Sequence, residues 1–274
     1  MIDPAKNRST PPAVMTIAGS DCSAGAGLQA DLKTFQHFGL HGLTAVTCIV
    51  SETANIVRRV DPVDPAMVED QIRLMLDAFP LIAVKTGMLG SADHVRRVAA
   101  VFREHPHIAL VVDPVMIAST GASLLEADAI AVYRNELLPL ATVITPNLPE
   151  AETLLGAEIP DATAMERATR KLSAEYGCAV LLKGGHLGGA ECLDLLFDEE
   201  ILHRYSSPRL DVAASHGTGC TLAAAVAAGL ALGKPLPEAV HIAKAYLNET
   251  LATSYSYQSR DGQKLHALNQ GTKL

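Results

Sequence analysis

The stretch SHGTGCTLAAAVAAGLALG, residues 215–233, sets Cys220 after a turn carrying Gly217 and Gly219 and ahead of an alanine-rich apolar run. Glycines there permit positive φ and let another molecule approach the backbone. Amides at a helix start converge on one point, and the helix dipole adds partial positive charge, so Gly217, Thr218 and Gly219 form a candidate anion cradle. A transferring phosphoryl group, with its charge on peripheral oxygens, suits such a cradle. The same helix start lowers a thiol's pKa, which would let a Cys220 thiolate accept a hydroxyl proton. Two other readings stay open on these residues alone. One is a small cysteine packing a helix start. The other is an acyl-transfer nucleophile with His216 as base, although adjacent helix positions do not face each other. The chain has no Walker A motif and no protein-kinase signature set, so a kinase here is of another design.

A second glycine segment, GAGLQA at 25–30, matches the dinucleotide pattern G-x-G-x-x-G/A, with Glu52 after the next strand as a ribose-binding acid. This is the NAD(P)-dependent oxidoreductase reading. Against it, SDCSA intervenes between Gly19 at the strand end and Gly25, where the dinucleotide fold turns tightly at once. The wider loop suits an arch over a small molecule.

These residues need a scaffold, and apolar runs alternating with helical periodicity supply one. Strands are expected at 13–19, 43–50, 81–87, 108–114, 141–147 and 179–185. Helices are expected at 26–39, 64–80 with Asp64 as N-cap, 91–106 with Ser91 as N-cap, 125–139, 148–156, 161–177, 218–232 and 236–253. Residues 192–208 read as a hairpin turning at Glu199-Glu200. Continuous apolar strands separated by helices predict an α/β fold: a three-layer α/β/α sandwich with a mostly parallel central sheet. Residues 1–12 read as a flexible lead-in and 13–274 as one domain. Ligands in such sheets sit beyond the carboxyl ends of the strands. Polar or glycine residues close almost every strand: Gly19-Ser20-Asp21, Ser51-Glu52, Lys85-Thr86-Gly87, Asp113-Pro114, Pro146-Asn147 and Lys183-Gly184-Gly185.

Composition bounds the partners. The chain of 274 residues is 49% hydrophobic with a formal net charge of -8 and no basic run, so nucleic acid and anionic membranes are not expected partners. The longest apolar run, CTLAAAVAAGLALG, falls short of the ~20 residues of a membrane span. Five cysteines without CxxC spacing, and no signal-peptide pattern, lead us to expect reduced thiols and a cytoplasmic location.

TIAGSDCSAGAGLQADLKTF, VKTGMLG, VVDPVM, ITPNLPEAE, LLKGGHL and HGTGCTLAAA, in that order from about residue 14 to 230, resemble the hydroxymethylpyrimidine/phosphomethylpyrimidine kinases of thiamin biosynthesis. These belong to the ribokinase-like superfamily. The resemblance implies a homodimer that uses ATP and a divalent metal, usually Mg2+. It phosphorylates 4-amino-5-hydroxymethyl-2-methylpyrimidine and then the monophosphate. It also implies Cys220 as catalytic base and Gly217, Thr218 and Gly219 as anion hole. Asp31 would hydrogen-bond the pyrimidine, and Gly19, Met88 and Val115 would line its pocket. Lys183 would contact ATP phosphates. Asn147 and Glu150 match the N-x-x-E motif near ATP and metal, with Asp113 facing the same region. Asn147 with Glu150 also fits a capping box in outline. One departure stands out: where the family commonly has Ala-Gln-Asn-Thr, this chain has VSETANIV, one residue shorter, with Glu52 nearest the pyrimidine-reading Gln. Glu52 is expected to read the 4-amino group. The competing functions are a pyridoxine/pyridoxal kinase of the same fold, the oxidoreductase, and a catalytically silent binding protein. Retention of Lys183, Glu150 and Cys220 together speaks against silence.

Overall fold

The computed structural model describes residues 10–116, 127–185 and 187–271. A nine-stranded sheet forms its centre, in the order β3-β2-β1-β4-β5-β6-β7-β8-β9. The strands are β1 (Ala13–Asp21), β2 (His41–Thr53), β3 (Ile56–Pro62), β4 (Ala83–Thr86), β5 (Ala109–Val112), β6 (Val143–Ile144), β7 (Ala179–Lys183), β8 (Glu191–Asp198) and β9 (Ile201–Pro208). From β2 through β7 neighbours run parallel, and β3, β8 and β9 are antiparallel at the two edges. The helices are α1 (Gly27–His37), α2 (Pro65–Ala78), α3 (Ala92–Glu104), α4 (Ala127–Val132), α5 (Leu148–Leu155), α6 (Ala162–Tyr176), α7 (Thr218–Ala231) and α8 (Leu236–Ala252). A separate two-stranded ribbon, β10 (Tyr255–Gln258) with β11 (Lys264–Ala267), closes the chain.

Alternation along the strands sends side chains into two cores. Met15 and Ile17 of β1 join Ile72 of α2, Val98 of α3, Leu154 of α5 and Leu172 of α6. Val14, one residue away, joins Phe35 of α1, the alanines of α7 and Val240 of α8 on the other face. The three-layer sandwich expected from the sequence is therefore present. Asp64 and Ser91 cap α2 and α3, their side chains accepting the amides of Ala66 at 2.7 Å and His94 at 3.3 Å. The hairpin turns at Glu199 and Glu200, both at positive φ.

Four elements differ from the sequence reading. β3 was not expected: its residues are almost all exposed, and a polar edge strand leaves no period-two signal. β10 and β11 escaped notice because each is only four residues long, too short for a periodic signal. The helix expected at 125–139 is α4 followed by a π-helical turn, Tyr133–Leu137, and a 3-10 turn, Leu138–Leu140; Leu125 and Glu126 lie outside the described residues. The expected lead-in also falls largely there, at residues 1–9. Among the described residues no helix is long and apolar enough to cross a membrane.

Small residues let α7 sit close to both the sheet and α8. A Cβ at Gly229 would lie 2.6 Å from the Ala239 Cβ. Gly229→Val should force these helices apart and cost about 1–3 kcal/mol, the usual price of overpacking. Thermal unfolding should record a clearly lower Tm, and an unchanged Tm would show that the α7–α8 contact is loose.

Candidate functional site

The carboxyl ends of β1, β2, β4, β5, β6 and β7 open on one edge of the sheet, and the first turn of α7 lies across them. Two clefts meet there. The first is lined by Gly19, Glu52, Lys85, Met88, Val115 and Cys220, among others. The second runs past Arg209, Leu210, Val212, Leu222, Leu247 and Asn248. Asn147, Lys183 and Gly219 belong to both.

At the junction, Gly217 caps α7 with φ 82°, and a Cβ there would meet the Gly25 carbonyl oxygen at 2.0 Å. Only glycine fits. The Thr218 amide donates to the Ser215 carbonyl at 3.3 Å, and its hydroxyl donates to the same oxygen at 2.9 Å. Thr218 thus turns towards its own loop and lines the second cleft only. The Gly219 and Cys220 amides find no acceptor among the described residues. The Gly217 amide likewise has no acceptor among them, so the expected cradle changes at one member: Thr218 leaves it, because its amide closes the turn, and the Cys220 amide joins those of Gly217 and Gly219.

Cys220 is partly exposed and lines the first cleft. Its thiol departs from the expected low pKa. Burial pushes it up to about 11; the Lys85 ammonium pulls down, the Asp31 and Asp113 carboxylates push up, and the Gly27 amide donating to the sulfur pulls down. Desolvation is the largest of these effects.

Asp31 also departs from expectation. It is fully buried and does not line the first cleft. Its Oδ2 accepts from the Thr16 hydroxyl at 2.6 Å and the Lys85 ammonium at 2.7 Å, while Oδ1 has no partner. Burial pushes the Asp31 carboxyl up, and the Lys85 ammonium and the Thr16 hydroxyl pull it down. The pair holds Lys85 protonated: burial lowers the ammonium's pKa, and Asp31, Cys220 and Asp113 together raise it further. Asp31 thus stands behind the wall that Lys85 forms. Lys85 is the cleft-lining side chain that sequence reasoning noted only as a strand-end polar group. The signal was there: a lysine inside a fully buried strand needs a buried partner.

Lys183, at the end of β7, donates to Asp113 Oδ1 at 2.9 Å, and the Thr145 hydroxyl donates to the same oxygen at 3.1 Å. A Cβ at Gly219 would lie 3.3 Å from Lys183 Nζ, so the ammonium stands beside the free amides. Burial works against that ammonium, but Asp113 and Glu150 keep its pKa above the usual value. Asn147 and Glu150 form a complete capping box on α5, with the Asn147 amide on Glu150 Oε2 at 2.8 Å and the Glu150 amide on Asn147 Oδ1 at 2.9 Å. Glu150 is nonetheless a cleft residue. Burial pushes its carboxyl up to about 7, with Lys183 opposing and Asp113 adding repulsion. Asp113 and Glu150 both line the first cleft, and their carboxylate oxygens are the hard donors that Mg2+ prefers.

The loop after β1 is organised by Asp21. Its carboxylate accepts the amides of Ser23, Gly25 and Ala26 at 2.7, 3.0 and 2.8 Å, and His216 Nε2 lies 3.0 Å from Oδ2. Burial raises the Asp21 carboxyl, but His216, Ala26 and Ser23 hold it down at about 2. With the Gly25 and Ala26 amides used internally, GAGLQA offers no pyrophosphate cradle. The oxidoreductase reading fails on this geometry. Gln270 straps the loop to α7, donating to the Gly25 carbonyl at 3.2 Å and the Thr221 hydroxyl at 2.9 Å.

The sandwich and its joined clefts are those of a ribokinase-like phosphotransferase. The profile described as phosphomethylpyrimidine kinase matches residues 21–264, and the chain belongs to that family. It is 44% identical over 241 residues to a hydroxymethylpyrimidine/phosphomethylpyrimidine kinase of Rhizobium meliloti, covering 88% of this chain and 90% of that one. It is 42% identical over 255 residues to a thiamine biosynthesis bifunctional protein of Geobacter sulfurreducens, covering 93% of this chain but only 52% of that longer protein. Among solved structures, a pyridoxal kinase of Bacillus subtilis in complex with ADP superposes with a TM-score of 0.87 at 35% identity, covering 95% and 98% of the two chains. A phosphomethylpyrimidine kinase of Clostridium difficile gives 0.77 at 37% identity, covering 86% and 98%.

Lys85→Met should leave the Asp31 charge buried without its partner and cost about 3–5 kcal/mol. Chemical denaturation measures this. Pairing it with Asp31→Leu should restore most of the stability, and failure to do so would mean that the ion pair is not what Lys85 contributes.

Proposed function

We propose that the chain transfers the γ-phosphate of ATP to the hydroxymethyl group of 4-amino-5-hydroxymethyl-2-methylpyrimidine, and then to the resulting monophosphate. The observation that carries this is the pair of unshared amides at Gly219 and Cys220, placed where the two clefts meet and flanked by the Lys183 ammonium. Electrostatic stabilisation by donors fixed in place before reaction is the main resource of phosphoryl transfer.

ATP occupies the second cleft, its base against Leu222 and Leu247 and its γ-phosphate at the free amides. Lys183 and Asn147, shared by the clefts, reach the phosphates. Glu150 and Asp113 would hold Mg2+, which offsets phosphate charge when bound. The pyrimidine fills the first cleft beside Gly19, Met88, Val115 and Glu52. Asp31 acts on it through Lys85. Cys220 accepts the hydroxyl proton. Only the thiolate can take that proton; burial disfavours it, and the Lys85 ammonium and the Gly27 amide favour it. Exposed Ile49, Ile56 and Val60 at the β2–β3 edge support a homodimer.

The close superposition on a pyridoxal kinase keeps pyridoxine as the second candidate substrate. A product-resolved assay with ATP, Mg2+ and each ring compound decides: ADP release with the pyrimidine and its monophosphate is expected, and release with pyridoxine alone would replace the substrate. Cys220→Ser should lower kcat by ~10²-fold or more while KM stays within a few-fold, the scale of a lost general base. Because burial raises the thiol's pKa, its thiolate grows as pH rises. The wild-type kcat should therefore climb above neutrality and that of Cys220→Ser should not. Full turnover by the variant would reduce Cys220 to packing.

A further inference from the structure

We propose, resting on the pyrimidine-kinase reading above, that Glu52 and the substrate's ring nitrogen share a single proton, and that this pair reads the aminopyrimidine edge. Glu52 lies at the end of β2, half-buried in the first cleft. Its main chain is pinned at both polar groups by Cys22: the amide donates to Sγ at 3.4 Å, and Sγ donates to the carbonyl at 3.3 Å. Its carboxyl group, by contrast, has no hydrogen-bond partner among the described residues. A fixed backbone with an unengaged carboxyl in a cleft is a group left for a ligand.

The chemistry follows from matching edges. A 4-aminopyrimidine presents one donor, the amino N–H, beside one acceptor, the ring nitrogen. A glutamine amide complements both with no proton exchanged. A carboxylate complements only the amino group, because its second oxygen sets a lone pair against that of the ring nitrogen. One added proton restores the match. It sits on the carboxyl, which then donates to the ring nitrogen, or on the ring nitrogen, which then donates to the carboxylate. Only an O–H or N–H bond forms, and the proton comes from solvent whenever both partners are free of it beforehand.

The surroundings favour that proton. One oxygen of Asp21, one of Glu52 and a ring nitrogen of His216 lie within 4.8 Å of one another. Asp21, from β1, is already held ionised by its loop amides and by His216, so Glu52 is the carboxyl left to take a proton. His216, from the loop before α7, is engaged with Asp21 at 3.0 Å. From β3 the facing residue is Val57, which carries no charge. The Cys22 thiol and, on the same strand, Cys48 complete the immediate neighbours; Lys85, Asp113, Glu150, Lys183 and Cys220 also line the cleft. Burial and then the Asp21 charge push the Glu52 carboxyl up, with His216 opposing. A pyridoxine ring lacks the amino group next to its ring nitrogen, so the pair would make one contact with it instead of two.

The test is calorimetric titration of 4-amino-5-hydroxymethyl-2-methylpyrimidine into the full chain without ATP, in buffers of different ionisation enthalpy, from neutral to alkaline pH. The wild type should take up about one proton per ligand at the alkaline end, with Kd weakening about tenfold per pH unit. Glu52→Gln should bind with no proton uptake and a flat Kd. Zero uptake by the wild type, or equal uptake by both, overturns the shared proton. ADP release with the pyrimidine alongside such flat binding would leave the kinase reading intact and sink this inference alone. Absence of pyrimidine turnover by the wild type would sink both.

Discussion

The site depends on one close contact: Gly217 against the carbonyl of Gly25, with no room for a Cβ between them. That approach brings the start of α7 against the loop that leads into α1. The Gly27 amide can then donate to the sulfur of Cys220, so two helix N-termini serve one point. Gln270 and the His216–Asp21 pair hold the same junction from either side. The first-turn amides of any α-helix lack an intrahelical partner. This contact sets those of Gly219 and Cys220, which have no acceptor among the described residues, at the junction of the clefts.

Around that point the molecule buries charge in pairs. Lys85 with Asp31 links β4 to α1, Lys183 with Asp113 joins β7 to the end of β5, and Lys244 with Asp194 links α8 to β8. Desolvation is expensive for each ion, and such pairs do not by themselves add stability. What they do here is set the field in the clefts. Lys85 is the charge that favours a thiolate at Cys220, while Asp113 resists it and also raises Glu150. Burial pushes both the Cys220 thiol and the Glu150 carboxyl towards their neutral forms, so both respond to any charge brought into the clefts.

Much of the scaffold was legible along the chain. The parallel strands announced themselves as apolar runs closed by polar residues, and Asp64, Ser91 and the Glu199-Glu200 turn marked boundaries that the structure keeps. These signals are local: a cap or a tight turn is decided within a few residues. β3 was missed because an exposed strand needs no apolar alternation, β10 and β11 because each is too short for a periodic signal, and the π-helical turn after α4 has no local signature. In the site, HGTGC and the strand-end lysine and carboxylates were visible as residue types. Their pairings were not.

By itself the sequence determined the layered architecture, the order of its elements, and the chemical inventory at the sheet's open edge, because periodicity and glycine placement act over short spans. Only the tertiary structure decided what each group does there. It put Asp31 behind Lys85, turned Thr218 back on its own loop, left the Gly217, Gly219 and Cys220 amides without acceptors among the described residues, raised the Cys220 thiol, and set the Glu52 carboxyl, with no partner among those residues, beside Asp21. These outcomes depend on desolvation and on charges many positions away along the chain, and such quantities exist only once distant segments are packed together.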